Sequence, residues 1–72
     1  MTILEMRKAL RLYRLEENIS YERIAEEIGL HRVNARTVRR FVEGKERVRH
    51  RETTLYAIQK YVERKGLRPT AA

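Results

Sequence analysis

Residues that start and stop helices recur along the chain, and their spacing limits its fold more than any other feature. Thr2 and Glu5 have the spacing of a capping box, in which each side chain accepts a hydrogen bond from the other residue's backbone. Ser20 and Asn34 are good helix N-caps. Each follows one aliphatic residue, Ile19 or Val33, that can pack against the first turns of the helix as a hydrophobic staple. Helix stops are expected at three glycines, Gly29, Gly44 and Gly66. These signals predict four helices and no strand.

Apolar residues recur at helical spacing between these caps, which gives each helix one buried stripe. The first predicted helix ends near Glu17 or Asn18. The second spans Tyr21 to Ile28, the third spans Ala35 to Glu43, and the fourth runs from Thr53 or Thr54 to Gly66. The inward positions are Ile3, Met6, Leu10, Tyr13, Ile24, Ala25, Ile28, Val38, Phe41, Val42, Leu55, Ile58 and Val62, whereas Arg7, Arg11 and Arg14 face outward. The expected fold class is all-α, a compact bundle of about four helices. Residues 1–67 form its single domain, and residues 68–72 form a flexible C-terminal tail.

The size and residue inventory of the chain argue against catalysis. With 72 residues and no cysteine, the core is small and neither disulfides nor cysteine-ligated zinc can stabilise it. One serine, no aspartate and two distant histidines cannot readily supply a nucleophile with its base and orienting group. A chain this short also leaves little room for a walled substrate cavity. We therefore expect no enzymatic activity, no metal or other cofactor and no small-molecule ligand.

The net charge of +7 is concentrated in one segment. From His31 to Arg51 there are eight basic residues and two glutamates, a balance of +6, whereas the rest of the chain carries +1. Such a basic segment favours a polyanionic partner, nucleic acid before an anionic membrane. No apolar run approaches the roughly 20 residues that span a bilayer, and no signal peptide is evident, so we expect a cytoplasmic protein.

Several of these residues together resemble a helix-turn-helix of the Cro and phage-repressor class. The resemblance lies in Ile24-Ala25, Ile28-Gly29-Leu30, Thr37-Val38, Phe41 and Gly44, followed by Thr54-Leu55, Ile58 and Val62 in the position of the family's fourth helix. In this pattern Ala25 is small because the recognition helix crosses closely, and Leu30 and Val38 pin the two helices together. The resemblance covers about Ser20 to Val62, more than half of the chain.

The turn between the two helices departs from the family pattern. His31, Arg32 and Val33 add about three residues before Asn34, so the predicted turn is longer than the family's tight form. An alternative alignment starts the recognition helix near Arg32 and places Ala35 at the buried valine position. We prefer the longer turn, because it lets Asn34 cap the helix and Val33 staple onto it.

The resemblance implies sequence-specific binding of double-stranded DNA by a repressor-type regulator, with the third helix in the major groove. Arginine suits this task, because its planar fork can contact guanine O6 and N7 or clamp a phosphate. The implied base contacts are Arg36 and Arg40, with Asn34 and Arg39 beside them. The implied phosphate contacts are Ser20, Tyr21, His31, Arg32, Lys45, Arg47, Arg49 and Arg51. A homodimer is expected, at least on DNA, through Leu12, Leu15, Tyr56 and Tyr61.

Purely structural roles are open for several of these side chains. Ser20 and Asn34 are expected to be caps first, and Arg39 can pair with Glu43 at the i, i+4 spacing. His31 and His50 are expected to be solvated, and the tyrosines to be half-buried helix residues or dimer contacts. Two other functions fit the same charge: an antitoxin-like or adaptor helical module with an acidic protein partner, and a binder of structured RNA.

Overall fold

Four α-helices, and no strand, account for the regular structure in residues 2–29, 33–44 and 49–70, which are the residues that the computed structural model describes. They are α1 (Ile3–Glu17), α2 (Tyr21–Ile28), α3 (Ala35–Glu43) and α4 (Glu52–Lys65). Both α3 and α4 pack against α1 and α2. The predicted small all-α bundle is therefore confirmed. No helix in these ranges is both long enough and apolar enough to cross a membrane.

Side-chain caps fix where the first three helices begin. Thr2 and Glu5 form the predicted capping box, with hydrogen bonds of 2.9 and 3.1 Å in the two directions. The Ser20 hydroxyl accepts from the backbone N–H of Arg23 at 3.1 Å, and the Asn34 amide oxygen accepts from that of Thr37 at 2.8 Å. Each cap satisfies a backbone donor that has no partner within its own helix. The predicted cap roles of Ser20 and Asn34 are thus confirmed.

The three glycines end their helices in three different ways. Gly66 has φ +65° and lets the backbone N–H of Leu67 donate to the Val62 carbonyl at 3.0 Å, the bonding of a Schellman stop. Gly29 also has positive φ, 125°, but its ψ of 109° lies outside the left-handed helical region. Its carbonyl accepts from Val33 instead, at 3.1 Å. Gly44 is extended, at φ −64° and ψ 150°, so this glycine does not end α3 in the left-handed conformation.

The start of α4 differs from the sequence prediction. The helix begins at Glu52, and Arg51 is an N-cap residue without a side-chain hydrogen bond. Thr53 and Thr54, predicted as possible caps, lie in the first turn. A carboxylate in the first turn is favourable next to the positive end of the helix dipole, so Glu52 can open the helix without a hydroxyl cap.

The core is formed by residues from all four helices and from the segment before α3. Its buried side chains are Met6, Ala9, Leu10, Ile24, Ala25, Val33, Val38, Phe41, Val42, Ala57, Ile58, Tyr61 and Val62. Two predictions are corrected. Ile3 is 46% exposed, because the first turn of α1 extends past the core. Tyr61 is only 1% exposed, so it is a core residue and no candidate for a dimer contact.

Glu27 joins α2 to α4 around this buried tyrosine. The Tyr61 hydroxyl donates to Glu27 Oε1, and Lys65 Nζ lies 3.5 Å from the same oxygen. The Tyr61 hydroxyl bond is the main cause that lowers the pKa of Glu27, and burial raises the pKa of Tyr61. These contacts of Glu27 hold α4 against α2, and α2 packs against α3.

Candidate nucleic-acid interface

The two faces of α3 differ completely in character. Val38, Phe41 and Val42 are buried on the inner face. The outer face is exposed and carries Arg36, Arg39, Arg40 and, at its C-terminal end, Glu43. At 100° per residue the sequence spacing separates these two sets, as predicted. Arg36, Arg39, Arg40, Glu43 and Gly44 line an open groove, which we call the α3 groove.

The N-terminal end of α3 is held by Asn34. Its amide oxygen accepts from both the backbone N–H and the hydroxyl of Thr37, at 2.8 and 3.0 Å. Asn34 is exposed, so its side-chain NH₂ group is the part that can donate to a base or a phosphate. The amide oxygen is already used by the cap.

The C-terminal end of α3 is held by two arginines from α1. Arg7 Nε donates to the Phe41 carbonyl at 2.7 Å, and Arg11 Nη2 donates to the Val42 carbonyl at 3.2 Å. These carbonyls belong to the last turn of α3, where backbone acceptors lack helical partners and the helix dipole attracts positive charge. The prediction that Arg7 faces outward is wrong, because it is half-buried against α3. Arg11 is exposed as predicted, but it also caps α3, which the sequence did not predict.

His50 lies against the inner side of the same helix end. Its ring centroid is 5.4 Å from that of Phe41, and Arg7 approaches the Phe41 ring at 5.7 Å. Burial, reinforced by the positive charges of Arg7 and Arg40, lowers the pKa of His50. The expectation of a solvated His50 is therefore wrong. The contact places His50 beside the C-terminal half of α3.

A second groove lies where α1, α2 and α3 meet. Within it the Arg14 guanidinium stacks on the Tyr21 ring, with Cζ 4.3 Å from the ring centroid. The prediction that Arg14 faces outward is thus also wrong. We call this the α1–α3 groove; its lining residues are Arg14, Tyr21, Glu22, Ala35, Arg36, Arg39 and Glu43.

Glu43 connects the two grooves. Its Oε1 accepts from the Tyr21 hydroxyl at 3.0 Å, and its Oε2 accepts from Arg39 Nε at 3.1 Å. The Arg39 and Tyr21 hydrogen bonds lower the pKa of Glu43, whereas burial and then the bond to Glu43 raise the pKa of Tyr21. The predicted Arg39–Glu43 pair is present; the link to Tyr21, 22 residues away in sequence, was missed.

The remaining predicted site residues are distributed as follows. Ser20 uses its hydroxyl as a cap at the start of α2, next to Tyr21. Arg49 and Arg51 are exposed and flank His50. His31, Arg32, Lys45 and Arg47, together with Leu30 of the predicted turn, lie outside the described residues. Arg36 and Arg40 form no ion pair with any residue of ranges 2–29, 33–44 and 49–70.

This arrangement can bind anions and planar hydrogen-bond acceptors. Exposed guanidinium groups on one helix face can clamp phosphates or contact guanine edges. Among the described residues, no group of three or more histidine, cysteine, aspartate or glutamate side chains is placed to hold a metal ion.

Comparison of the chain with protein-family models, with curated proteins and with solved structures found no match.

Proposed function

We propose that this protein is a sequence-specific, double-stranded DNA-binding regulator of the repressor type, which places α3 in the major groove. The observation that carries the proposal is the exposed row of Arg36, Arg39 and Arg40 on a helix whose inner face is buried and whose two ends are held by side-chain hydrogen bonds. Arg36 and Arg40 form no ion pair with a described residue, and a helix held at both ends can present them to base edges at low entropic cost.

The exposed arginines are expected to make different contacts with DNA, according to their positions. Arg36 lies in the first turn of α3, and recognition helices usually present their first turns to the bases, so it is the principal base contact. Arg40 is the second base contact, one turn further along the same face. Arg49 and Arg51 are exposed on either side of His50, which contacts Phe41 of α3, and we expect them to contact phosphates and position the protein without reading sequence.

A single unit of this size reads few base pairs, and regulators of this kind commonly double the site by two-fold symmetry. We therefore include a homodimer on DNA in the proposal, acting on cytoplasmic or nucleoid DNA. Leu15 and Tyr56, which are 66% and 56% exposed, and the half-buried Leu12 remain the candidate contacts. The expected bound site is an inverted repeat with half-sites about one helical turn apart.

Selection of bound sites from a random duplex library supplies the sequence on which the proposal is tested. The affinities of wild type, Arg36→Lys and Arg36→Ala are then measured for the selected site and a scrambled duplex at one fixed salt concentration. Arg36→Ala is expected to lose about 1–3 kcal/mol of discrimination at one base position. Arg36→Lys keeps the charge and loses the fork, so it retains affinity for the scrambled duplex but not the preference.

Arg23→Lys is the matched control, because Arg23 is also exposed but lies on α2 and pairs with Glu27. It should leave both affinities unchanged. The proposal is wrong if no sequence is enriched, or if a structured RNA or an acidic protein displaces the selected duplex at equal concentration. Full retention of the preference by Arg36→Lys would remove Arg36 from the base contacts.

A further inference from the structure

Glu43 occupies a position that helix stability does not explain. It is the single acidic residue of α3 and the last residue of that helix, where the negative end of the helix dipole disfavours a carboxylate. The order of the pair, with Arg39 four residues before Glu43, is also the less favourable orientation for a helical ion pair. A carboxylate on an otherwise arginine-rich face therefore calls for another explanation.

The contacts of Glu43 have the form of an anion-binding site. Its two oxygens accept separate hydrogen bonds from two helices, one from the Tyr21 hydroxyl of α2 and one from Arg39 Nε of α3. A backbone phosphodiester likewise presents two unesterified oxygens that share one negative charge. The donors around Glu43 would suit such a group equally well.

Arg14 adds positive charge to the same place. Its guanidinium lies over the Tyr21 ring, and it lines the α1–α3 groove with Tyr21, Arg36 and Arg39. Arg14 Nε is buried and has no hydrogen-bond partner among the described residues. The guanidinium is thus held by its contact with the Tyr21 ring, and it forms no salt bridge with a carboxylate of the described residues.

We propose that Tyr21, Arg39 and Arg14 form a binding site for one phosphate of the DNA backbone, and that the Glu43 carboxylate holds this site in the free protein and leaves it when the phosphate enters. This inference rests on the proposed function. A phosphate can bind here only by displacing the Glu43 carboxylate, so Glu43 lowers the affinity for every duplex by a similar factor.

The test compares Glu43→Gln with Glu63→Gln for binding to a mixed-sequence duplex at one salt concentration. Glu63 is a close control, since its side chain is 53% exposed against 51% for Glu43 and it also accepts an i, i+4 hydrogen bond, from Gln59. Glu43→Gln is expected to bind about fivefold more tightly, the factor equivalent to the upper value for an exposed ion pair, because the phosphate no longer has to break the Arg39–Glu43 pair. Glu63→Gln should change affinity by less than half of that factor.

An Arg39→Gln background separates displacement from general repulsion. If Glu43 competes with phosphate for Arg39, the gain from Glu43→Gln should largely disappear when Arg39 is already replaced. A gain that persists in this background, or equals that of Glu63→Gln, overturns the site. Unfolding curves of all variants confirm that each is folded under the binding conditions.

The NMR signal of the Arg39 Nε–H group gives an independent readout. It should differ between wild type and Glu43→Gln in the free protein and become the same in the two duplex complexes, because Glu43 has then left. A difference that remains in the complexes means that Glu43 stays bound, and overturns the inference. A wild-type chain that binds no duplex overturns the proposed function together with the site, whereas duplex binding without these effects overturns the site alone.

Discussion

Two sets of three arginines, each set on one helix, make different contacts in this molecule. Those of α1 turn to other elements: two cap the end of α3 and the third stacks on a tyrosine of α2. Those of α3 lie exposed on its outer face. The two sets are Arg7, Arg11 and Arg14 on α1, and Arg36, Arg39 and Arg40 on α3.

The difference arises from what lies opposite each helix. The arginines of α1 meet carbonyl groups in the last turn of α3, whose need for donors is set by helix geometry. On the outer face of α3, Arg39 pairs with Glu43 of its own helix, whereas Arg36 and Arg40 meet no acceptor of this kind among the described residues. Basic charge in a small protein therefore has to be divided into charge that stabilises the fold and charge that is available to a partner.

The sharpest test of this division is Arg7→Met, which keeps the unbranched stem and removes the donor. We expect the free energy of unfolding to fall by about 1.5–3 kcal/mol, because a charged donor leaves the Phe41 carbonyl. Arg36→Met should change it by no more than about 0.5 kcal/mol, as for ordinary surface substitutions. Urea unfolding measures both. Similar losses for the two variants would contradict the division.

The salt dependence of DNA binding tests whether exposed arginines are available to a partner. Replacing Arg49 and Arg51 together with Gln should flatten the slope of log K against log salt by up to about 1.8, since each phosphate contact contributes about 0.9. Over a fourfold range of salt this corresponds to about tenfold in affinity. The control replaces Lys8 and Lys60, which are exposed on α1 and α4, and should leave the slope unchanged. An equal effect of both pairs would mean that attraction is not localised.

Arg11→Met should have a smaller effect than Arg7→Met. Arg11 is exposed, and its bond to the Val42 carbonyl is longer, at 3.2 Å against 2.7 Å. We expect a loss of about 0.5–1.5 kcal/mol in the free energy of unfolding. The double variant with Arg7→Met should depart from additivity, because both arginines cap one helix end. Strict additivity in urea unfolding would indicate that the two caps act independently.

The smallest expected effect concerns pH. The pKa of His50 is lowered from 6.5 by burial and by Arg7 and Arg40, so between the folded and unfolded pKa values the unfolded chain binds more protons. Stability from neutral His50 is therefore present above pH 6.5 and is lost as the pH falls through that value towards the folded pKa. His50→Phe should flatten the decline between pH 7.5 and 5. Thermal unfolding at both pH values measures this decline in stability. A decline that is unchanged in His50→Phe would mean that other groups cause it.

Local signals account for the parts of the fold that the sequence predicted. The bounds of α2 and α3 were predicted to the residue, because Ser20 and Asn34 cap through hydrogen bonds that span only three residues. The exposure of Arg36 and Arg40 followed from the 100° spacing of a helix. The start of α4 was not predicted, since Arg51 provides no side-chain cap that a pattern could reveal.

Contacts between distant residues account for the misses. Arg7 and Arg11 reach carbonyls 34 and 31 residues away, and Tyr21 reaches Glu43 across 22 residues. Helical periodicity ranks residues as inward or outward on one helix and contains no information about which neighbour they meet. A charged residue that caps another helix therefore has the same sequence pattern as one that faces water.

The capping of α3 from α1 also determines whether α3 can be transplanted into another protein. The segment from Ser20 to Val62 that resembles a helix-turn-helix contains its own N-cap but not the donors for its C-terminal carbonyls. Grafted into another scaffold, α3 would expose the carbonyls of Phe41 and Val42 to water and fray from that end. Only a graft that includes α1, or a host helix with basic residues at the same spacing, would keep α3 and its exposed arginines intact.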